Sequence, residues 1–346
     1  MSSGPTPLNV FEFEELARQK MPSAAWDYIA AGAEDEVTVA RNRSAFERIA
    51  LRPSLLVDVE QVDTATTVLG QSVSAPIRIA PMGQHGFVCP DAEIATAVAA
   101  STAGTILVAS ISSTRSIEAI TAASAGPVWF QMYLFFRDRP RSEAMIRRAE
   151  AAGCPAIVLT VDSPRWGRKE RNMRTDHELS WRVDNLAGLP PSQHRYPDGA
   201  PATWADVGWL RTITRLPIVI KGILTAEDAA LAVNHGAQAI VVSNHGGRQL
   251  DGAVASIDAL PEVVAVVNGR CEVYLDSGIR RGTDVLKSLA LGARAVLVGR
   301  PVLWGLAVNG SHGAAEVLRL LQEELTCAMA LSGRPNITSI DRKLVR

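Results

Sequence analysis

The sequence predicts an α/β protein built on a closed (β/α)8 barrel, and three observations predict it. Eight short apolar runs rich in β-branched residues follow one another along the chain, as suits parallel strands buried on both faces. Alanine-rich helical stretches separate most of them, which is the alternation of βαβ units. Finally, Gly222-Ile223, Asp228, Gly236-Ala237, Ala239 and Val242 recur 56 positions later as Gly278-Ile279, Asp284, Gly292-Ala293, Ala295 and Val298. That spacing is two units of about 28 residues, each a strand, its helix and both loops. Eight strands with this repetition favour the TIM barrel over an open doubly wound sheet.

Taken in order, the first 70 or so residues read as helical and mixed. Phe11, Phe13, Leu16 and Ala17 fall at helical spacing, a second helix over 24–31 carries Trp26 and Tyr28, and a charged third covers 41–49. The barrel runs are 77–80, 105–109, 128–133, 156–161, 217–221, 239–243, 272–276 and 295–299, with helices at 93–103, 143–152, 226–235 and 284–291. Residues 1–70 are thus expected as an N-terminal helical segment packed on a barrel of residues 71–346. A length of 346 residues suggests two or three domains at about 150 each, but single α/β barrels exceed that size. The connection after the fourth run, 163–203, is rich in Arg, Pro, Asn, Asp and His. It leaves the carboxyl end of a strand, where barrel enzymes keep their sites, and reads as a lid.

Composition narrows the classes. The chain is 47% hydrophobic, enough for a large core, and its 35 basic and 36 acidic residues leave a net charge of -1. A nucleic-acid binder would carry a strong positive field. Cys89, Cys154, Cys271 and Cys327 are far apart and form no C-x-x-C pair, so neither a disulfide framework nor a metal site is expected. MSSGPTPLNVFEFEELARQK has no basic end followed by an apolar stretch, and no apolar run approaches the roughly 20 residues of a membrane span. A soluble, cytoplasmic protein is expected.

The strand ends carry the chemistry. They read Ala80-Pro81-Met82-Gly83, Ser110, Gln131-Met132-Tyr133, Thr160-Val161-Asp162, Lys221-Gly222, SNHGGR (243–248), Asp276-Ser277-Gly278 and Gly299-Arg300. Loops after strands seven and eight of barrels commonly hold a phosphate, and Arg280 and Arg300 add charge there, so a phosphorylated cofactor is favoured over two plain glycine turns. His245 is followed by paired glycines and, three residues on, by Arg248. A base beside a fixed cation suits proton abstraction from a substrate whose anion the cation holds. His85, His177, His194, His235 and His312 lack such company and read as structural. Lys221 ends an apolar strand, where it either forms a Schiff base or stabilises negative charge on a cofactor. Spacing does not choose.

With these rim residues in order, the chain resembles the FMN-dependent 2-hydroxy-acid oxidase and dehydrogenase family, which includes glycolate oxidase, lactate oxidase and mandelate dehydrogenase. The likeness runs from about Leu8 to the end through WDYIAAGAEDE, NRSAFERIALRP, LTVDSPRWGRKE, LPIVIKGILTAEDA, SNHGGRQLDG and DSGIRRGTDVLKSLALGARAVLVGRP. It implies FMN across the carboxyl face and oxidation of an L-2-hydroxy acid to the 2-oxo acid. His245 would be the base, Arg248 the carboxylate clamp assisted by Tyr28, and Tyr133 the contact to the substrate hydroxyl. Asp162 would orient His245. Lys221 would face the flavin N1/O2 edge, which sets the Schiff base aside. Ser110, Gln131 and Thr160 would bond the flavin ring, with Pro81, Met82, Gly83 and Ser243 beside it. Asp276, Ser277, Gly278, Arg280, Gly299 and Arg300 would hold the phosphate end. Oxygen, a quinone or another carrier would reoxidise the flavin, and a homotetramer or octamer is implied.

Several positions depart from the family pattern. Lys169 stands where an arginine is usual for a second contact to the substrate carboxylate, keeping charge but losing the bidentate fork. Ser277 replaces the middle glycine of Asp-Gly-Gly. Ser112 stands where glycolate oxidase-like members have tryptophan, and Gly83 is equally small, so both are expected to open the substrate pocket while Trp166 narrows it. A bulky, mandelate-like acid is the expected substrate. The lid has no extended apolar stretch, and no membrane anchoring through it is expected. Two alternatives stay open: a family-like flavin oxidase of a peptide-derived amine, and a Schiff-base lyase using Lys221.

Overall fold

In the computed structural model, which describes residues 7–134, 138–187 and 201–346, the chain enters through three helices. These are α1 (Val10–Lys20), α2 (Ser23–Ala30) and α3 (Val37–Glu47). Asn9 caps α1 by accepting from the amides of Phe11 and Glu12, two of the donors a helix start leaves unpaired. Helix α3 begins four residues before the expected 41. Asp251 accepts the amides of Val37 and Thr38, so a carboxylate distant in sequence caps the helix.

A hairpin follows, β1 (Thr66–Val68) and β2 (Gln71–Val73). Its turn residues Leu69 and Gly70 both have positive φ, 44° and 76°, the conformation a two-residue hairpin turn favours. The boundary expected at residue 70 falls inside this hairpin.

The eight apolar runs are eight strands: β3 (Ile77–Ile79), β4 (Leu107–Ser110), β5 (Val128–Met132), β6 (Ile157–Thr160), β7 (Ile218–Ile223), β8 (Ala239–Val242), β9 (Glu272–Leu275) and β10 (Ala295–Val298). Each pairs with the next in parallel and β10 returns to β3, closing the barrel. Helices α4 (Glu93–Thr102), α5 (Ile117–Ala123), α6 (Arg139–Ala151), α8 (Trp204–Ile213), α9 (Ala226–Asn234), α10 (Ser256–Val267), α11 (Gly282–Ala290) and α12 (Arg300–Leu331, broken by a kink at Asn309-Gly310) connect the strands or follow the last. The 56-residue repeat corresponds to the units β7–α9–β8 and β9–α11–β10. Among its described residues the connection 163–203 holds one α-helix, α7 (Glu170–Thr175), and two 3-10 turns, Asp176–Glu178 and Asp184–Leu186; residues 188–200, His194 among them, lie outside the described ones.

Side chains alternate along the strands. Ile77, Ile79, Phe130 and Leu275 pack outward against the helices, while Trp129, Val158, Val241 and Tyr274 fill the interior. Burying each such apolar side chain contributes about 1.5–3 kcal/mol. The hairpin stops the amino-terminal mouth, since Val68 and Val73 join the interior cluster. Trp129 Nε1 donates to Gln71 Oε1 at 3.1 Å, and the Leu69 amide to Glu272 Oε1 at 3.1 Å. Among the described residues no helix is long and apolar enough to cross a membrane.

Candidate active site

The loops at the carboxyl mouth of the barrel enclose a cavity of about 190 Å³. Every residue expected to touch substrate or cofactor lines it except Asp162, Gln131, Thr160 and Ser243. Those four stand behind the wall. Ser110 Oγ donates to Gln131 Oε1 at 2.8 Å, and Gln131 Nε2 donates to Thr160 Oγ1 at 3.0 Å, which fixes the ends of β4, β5 and β6 against one another. Ser243 Oγ accepts from Lys221 Nζ at 2.9 Å and from the His245 amide at 3.0 Å.

His245, Gly246 and Gly247 follow β8 with φ of 59°, 66° and 75°. Three successive left-handed residues make a sharp turn that glycine adopts freely and other residues rarely do. A Cβ on Gly247 would also lie 2.7 Å from Val39 Cγ2. The turn sets His245 Nδ1 2.8 Å from Asp162 Oδ1. Burial raises the Asp162 carboxyl, but His245 and Lys221 outweigh it and hold it at about 2. An ionised carboxylate there keeps the proton on Nδ1 and leaves Nε2 as the free base. Burial pulls His245 below the ordinary histidine range; Asp162 opposes this, while Lys221 and Arg248 add to it.

Two arginines grip the end of α2. Arg248 Nη1 donates to the carbonyls of Tyr28 and Ala31, both at 2.8 Å, and Arg300 donates to those of Ile29 (3.0 Å), Ala31 (3.1 Å) and Gly246 (2.9 Å). These include the carbonyls a helix end leaves unpaired, and the grip brings Tyr28 into the cavity, 5.4 Å from the Arg248 guanidinium carbon. From the other side Arg171 of α7 binds Glu36 through two bonds of 2.8 and 2.9 Å.

Lys221 Nζ lies 3.3 Å from Asp276 Oδ2 and 3.9 Å from Asp162 Oδ2. Burial would lower it, but the two carboxylates prevail and hold it above the ordinary lysine range. A Schiff base requires the neutral amine, so this geometry speaks against the lyase alternative.

The loops after β9 and β10 present Arg280 and Arg300. Burial brings them down to about 10 and about 9, and for Arg300 the repulsion of Arg248 and Arg280 adds to it. Among the described residues neither is ion-paired to a carboxylate. Gly278 (φ 91°) abuts Asn42, where a Cβ would lie 2.4 Å from the Asn42 carbonyl oxygen. Ser277 is itself left-handed (φ 77°); its Oγ accepts from the Gly246 amide at 3.0 Å and donates to Asp276 Oδ1 at 2.8 Å. These bonds offset the strain a glycine would avoid. Two under-neutralised guanidiniums facing a shared cavity fit the phosphate of FMN, and Lys221 fits a flavin that becomes anionic.

On the substrate side, Tyr133 and Trp166 meet edge to face at 5.6 Å. Lys169 Nζ donates to the Gly167 carbonyl at 3.2 Å and lies 5.4 Å from the Trp166 ring. Burial and the neighbouring Arg248 lower it to about 7. The expectation for Gly83 changes in its reason. A Cβ there would lie 2.9 Å from the Ser112 carbonyl oxygen and 3.0 Å from Ser112 Cβ. The glycine therefore answers to close packing, and the expectation of added room rests on Ser112 alone.

Other residues at the mouth were not among those expected. Trp181, on the connection after β6, lines the cavity and forms an edge-to-face trio with Tyr28 and Phe87, ring centres 5.2–5.3 Å apart. Asn172 lines it too. Gln84 Nε2 donates to the carbonyls of Ser112 and Arg182, both at 2.9 Å, tying three mouth loops together. A second aromatic on the lid was a usable signal for Trp181; no sequence signal marks Gln84.

Residues 17–346 match the sequence profile of a family described as FMN-dependent dehydrogenase. The chain is 48% identical over 360 aligned positions to an L-lactate oxidase of Nostoc sp. (strain PCC 7120 / SAG 25.82 / UTEX 2576), covering 99% of this chain and 98% of that one. It is 46% identical over 348 positions to the glycolate oxidase of Spinacia oleracea, covering 96% and 94%. Among solved structures it is similar to a mandelate oxidase with benzoyl-formic acid, at TM-score 0.92 and 43% identity, covering 99% and 98%. A mandelate oxidase with (S)-4-hydroxymandelic acid is similar at TM-score 0.92 and 41% identity, covering 98% of each chain.

Proposed function

The chain belongs to the FMN-dependent dehydrogenase family, and from that premise we propose that it oxidises a bulky L-2-hydroxy acid to the 2-oxo acid with His245 as base. FMN-dependent oxidation of 2-hydroxy acids is the chemistry its relatives share. The observation that carries the finer reading is one geometry: His245, oriented by Asp162 at 2.8 Å, shares a cavity with Arg248, itself fixed by backbone carbonyls.

In this reading Arg248 and Tyr28 receive the carboxylate, with Lys169 as a second cation. Tyr133 donates to or accepts from the substrate hydroxyl. Burial, Asp162 and Tyr28 hold the Tyr133 phenol above the ordinary range, so it stays protonated. His245 Nε2 takes one proton, and Asp162 stabilises the imidazolium that results. Bound FMN supplies the two-electron acceptor. Lys221, kept cationic by Asp276 and Asp162, offers charge to whatever becomes negative beside it. Arg280 and Arg300 bind the phosphate. Ser112, with the aromatic wall of Trp166, Tyr133 and Trp181, supports an aromatic substituent over a hydrogen, and the oxidase relatives support oxygen as the final acceptor.

The test is His245→Gln. The variant is expected to keep its yellow flavin yet be reduced by mandelate at least about 100-fold more slowly, the usual scale of general-base loss. Reduction at the wild-type rate would refute the assignment.

A further inference from the structure

Inside the barrel, beneath the cavity, one charge stands in an otherwise apolar cluster. Arg78 is 0% exposed, and no hydrogen bond of ordinary geometry reaches its Nε, Nη1 or Nη2 among the described residues, although the nearby Tyr274 hydroxyl favours its charged form. Its guanidinium carbon lies 3.7 Å from the Tyr274 ring centre and 4.7 Å from that of Trp129, an arrangement that keeps a cation stable away from water. Burial brings Arg78 down to about 10 against Tyr274 and Glu272, so it remains charged at neutral pH.

The placement has a direction. Along β3 the next inward residue after Arg78 is Ala80, which lines the cavity, and the strand partner of Arg78 on β10 is Leu297, which also lines it. Two residues of strand rise about 7 Å. The carboxylate that favours its charge, Glu272, sits at the amino-terminal end of β9, away from the cavity. Its oxygens are taken by the Tyr274 hydroxyl at 2.6 Å and the Leu69 amide at 3.1 Å, and it forms no ion pair with Arg78. With Glu272 only partly buried at the far end of the barrel, the positive charge of Arg78 is the one that lies toward the cofactor site, with only barrel interior between.

We propose that Arg78 is an electrostatic positioning residue that raises the reduction potential of the bound flavin from within the barrel. The inference rests on the FMN reading. A buried cation favours the electron-rich flavin, as it favours any developing anion nearby. Across about 10 Å at an effective dielectric of about 20, one charge shifts an equilibrium about tenfold.

The experiment compares flavin-loaded wild type, Arg78→Met, Arg78→Lys and Glu272→Gln by midpoint potential against a reference dye and by sulfite titration. Arg78→Met should lower the potential and weaken sulfite binding about tenfold, equivalent to about 30 mV for a two-electron couple. Arg78→Lys should stay near wild type, and Glu272→Gln should shift both readouts the opposite way. Equal potentials and sulfite affinities in Arg78→Met and wild type would overturn the proposal. If Arg78→Met does not fold, an unshifted Glu272→Gln overturns it instead. A wild-type protein that takes up no flavin defeats the underlying FMN reading, whereas loaded variants with unmoved potentials defeat only the role of Arg78.

Discussion

Replacing Asp162 with asparagine tests the proposed base and its partner together. Asp162 is 11% exposed and lies 2.8 Å from His245 Nδ1, so solvent screens the pair little. Its carboxyl stands at about 2 against an ordinary 3.8. At about 1.4 kcal/mol per pKa unit, that difference is on the order of 2 kcal/mol, or roughly 30-fold in an equilibrium. Its largest favourable cause is His245, with Lys221 second. Most of this stabilisation is therefore lost when the imidazolium forms beside a neutral amide. Asparagine also offers an N–H toward Nδ1, favouring the tautomer that protonates Nε2 and blocks the base. The rate of flavin reduction, followed anaerobically by stopped flow under saturating mandelate, should fall by roughly 30-fold. Flavin content and melting temperature control for folding. A flavin-loaded Asp162→Asn enzyme within threefold of wild type would refute the argument.

Other outcomes follow from the same geometry. As pH falls below the ordinary histidine range, His245 gains a proton and kcat/KM should drop; as pH rises through about 7, Lys169 loses its charge and KM for the acid should rise. Lys169→Arg should remove the alkaline limb alone, and a KM that still rises there would assign the limb elsewhere. Ser112→Trp should lower kcat/KM for mandelate at least tenfold relative to glycolate, checked by paired steady-state assays. Ser277→Gly relieves a positive φ but removes two hydrogen bonds, so its FMN dissociation constant should stay within about tenfold of wild type. A larger change, measured by fluorescence titration, would mean that the serine contacts the cofactor.

The barrel was legible because parallel strands buried on both faces are written as continuous apolar runs, and the runs at 77–80 and 239–243 differ from β3 and β8 by a residue or so at their carboxyl ends. The rim residues were legible for the same reason, since the first polar group after each run marks the mouth. What stayed hidden depends on residues remote in sequence. Asp251 starts α3 from 214 positions away. The Tyr28, Phe87 and Trp181 rings come from three segments and acquire meaning only when they meet. Arg78 reads locally as an interruption of an apolar strand, and only the closed barrel shows that its side chain has nowhere else to go.

The central claim, that this cavity holds FMN and passes it the electrons of a bulky 2-hydroxy acid, is tested most directly by anaerobic bleaching. Purified protein should show flavin absorbance, and (S)-mandelate should bleach it with one benzoyl-formic acid formed per flavin, faster than glycolate does. A flavin that no 2-hydroxy acid bleaches would contradict the account, and equal rates for the two acids would contradict its substrate preference.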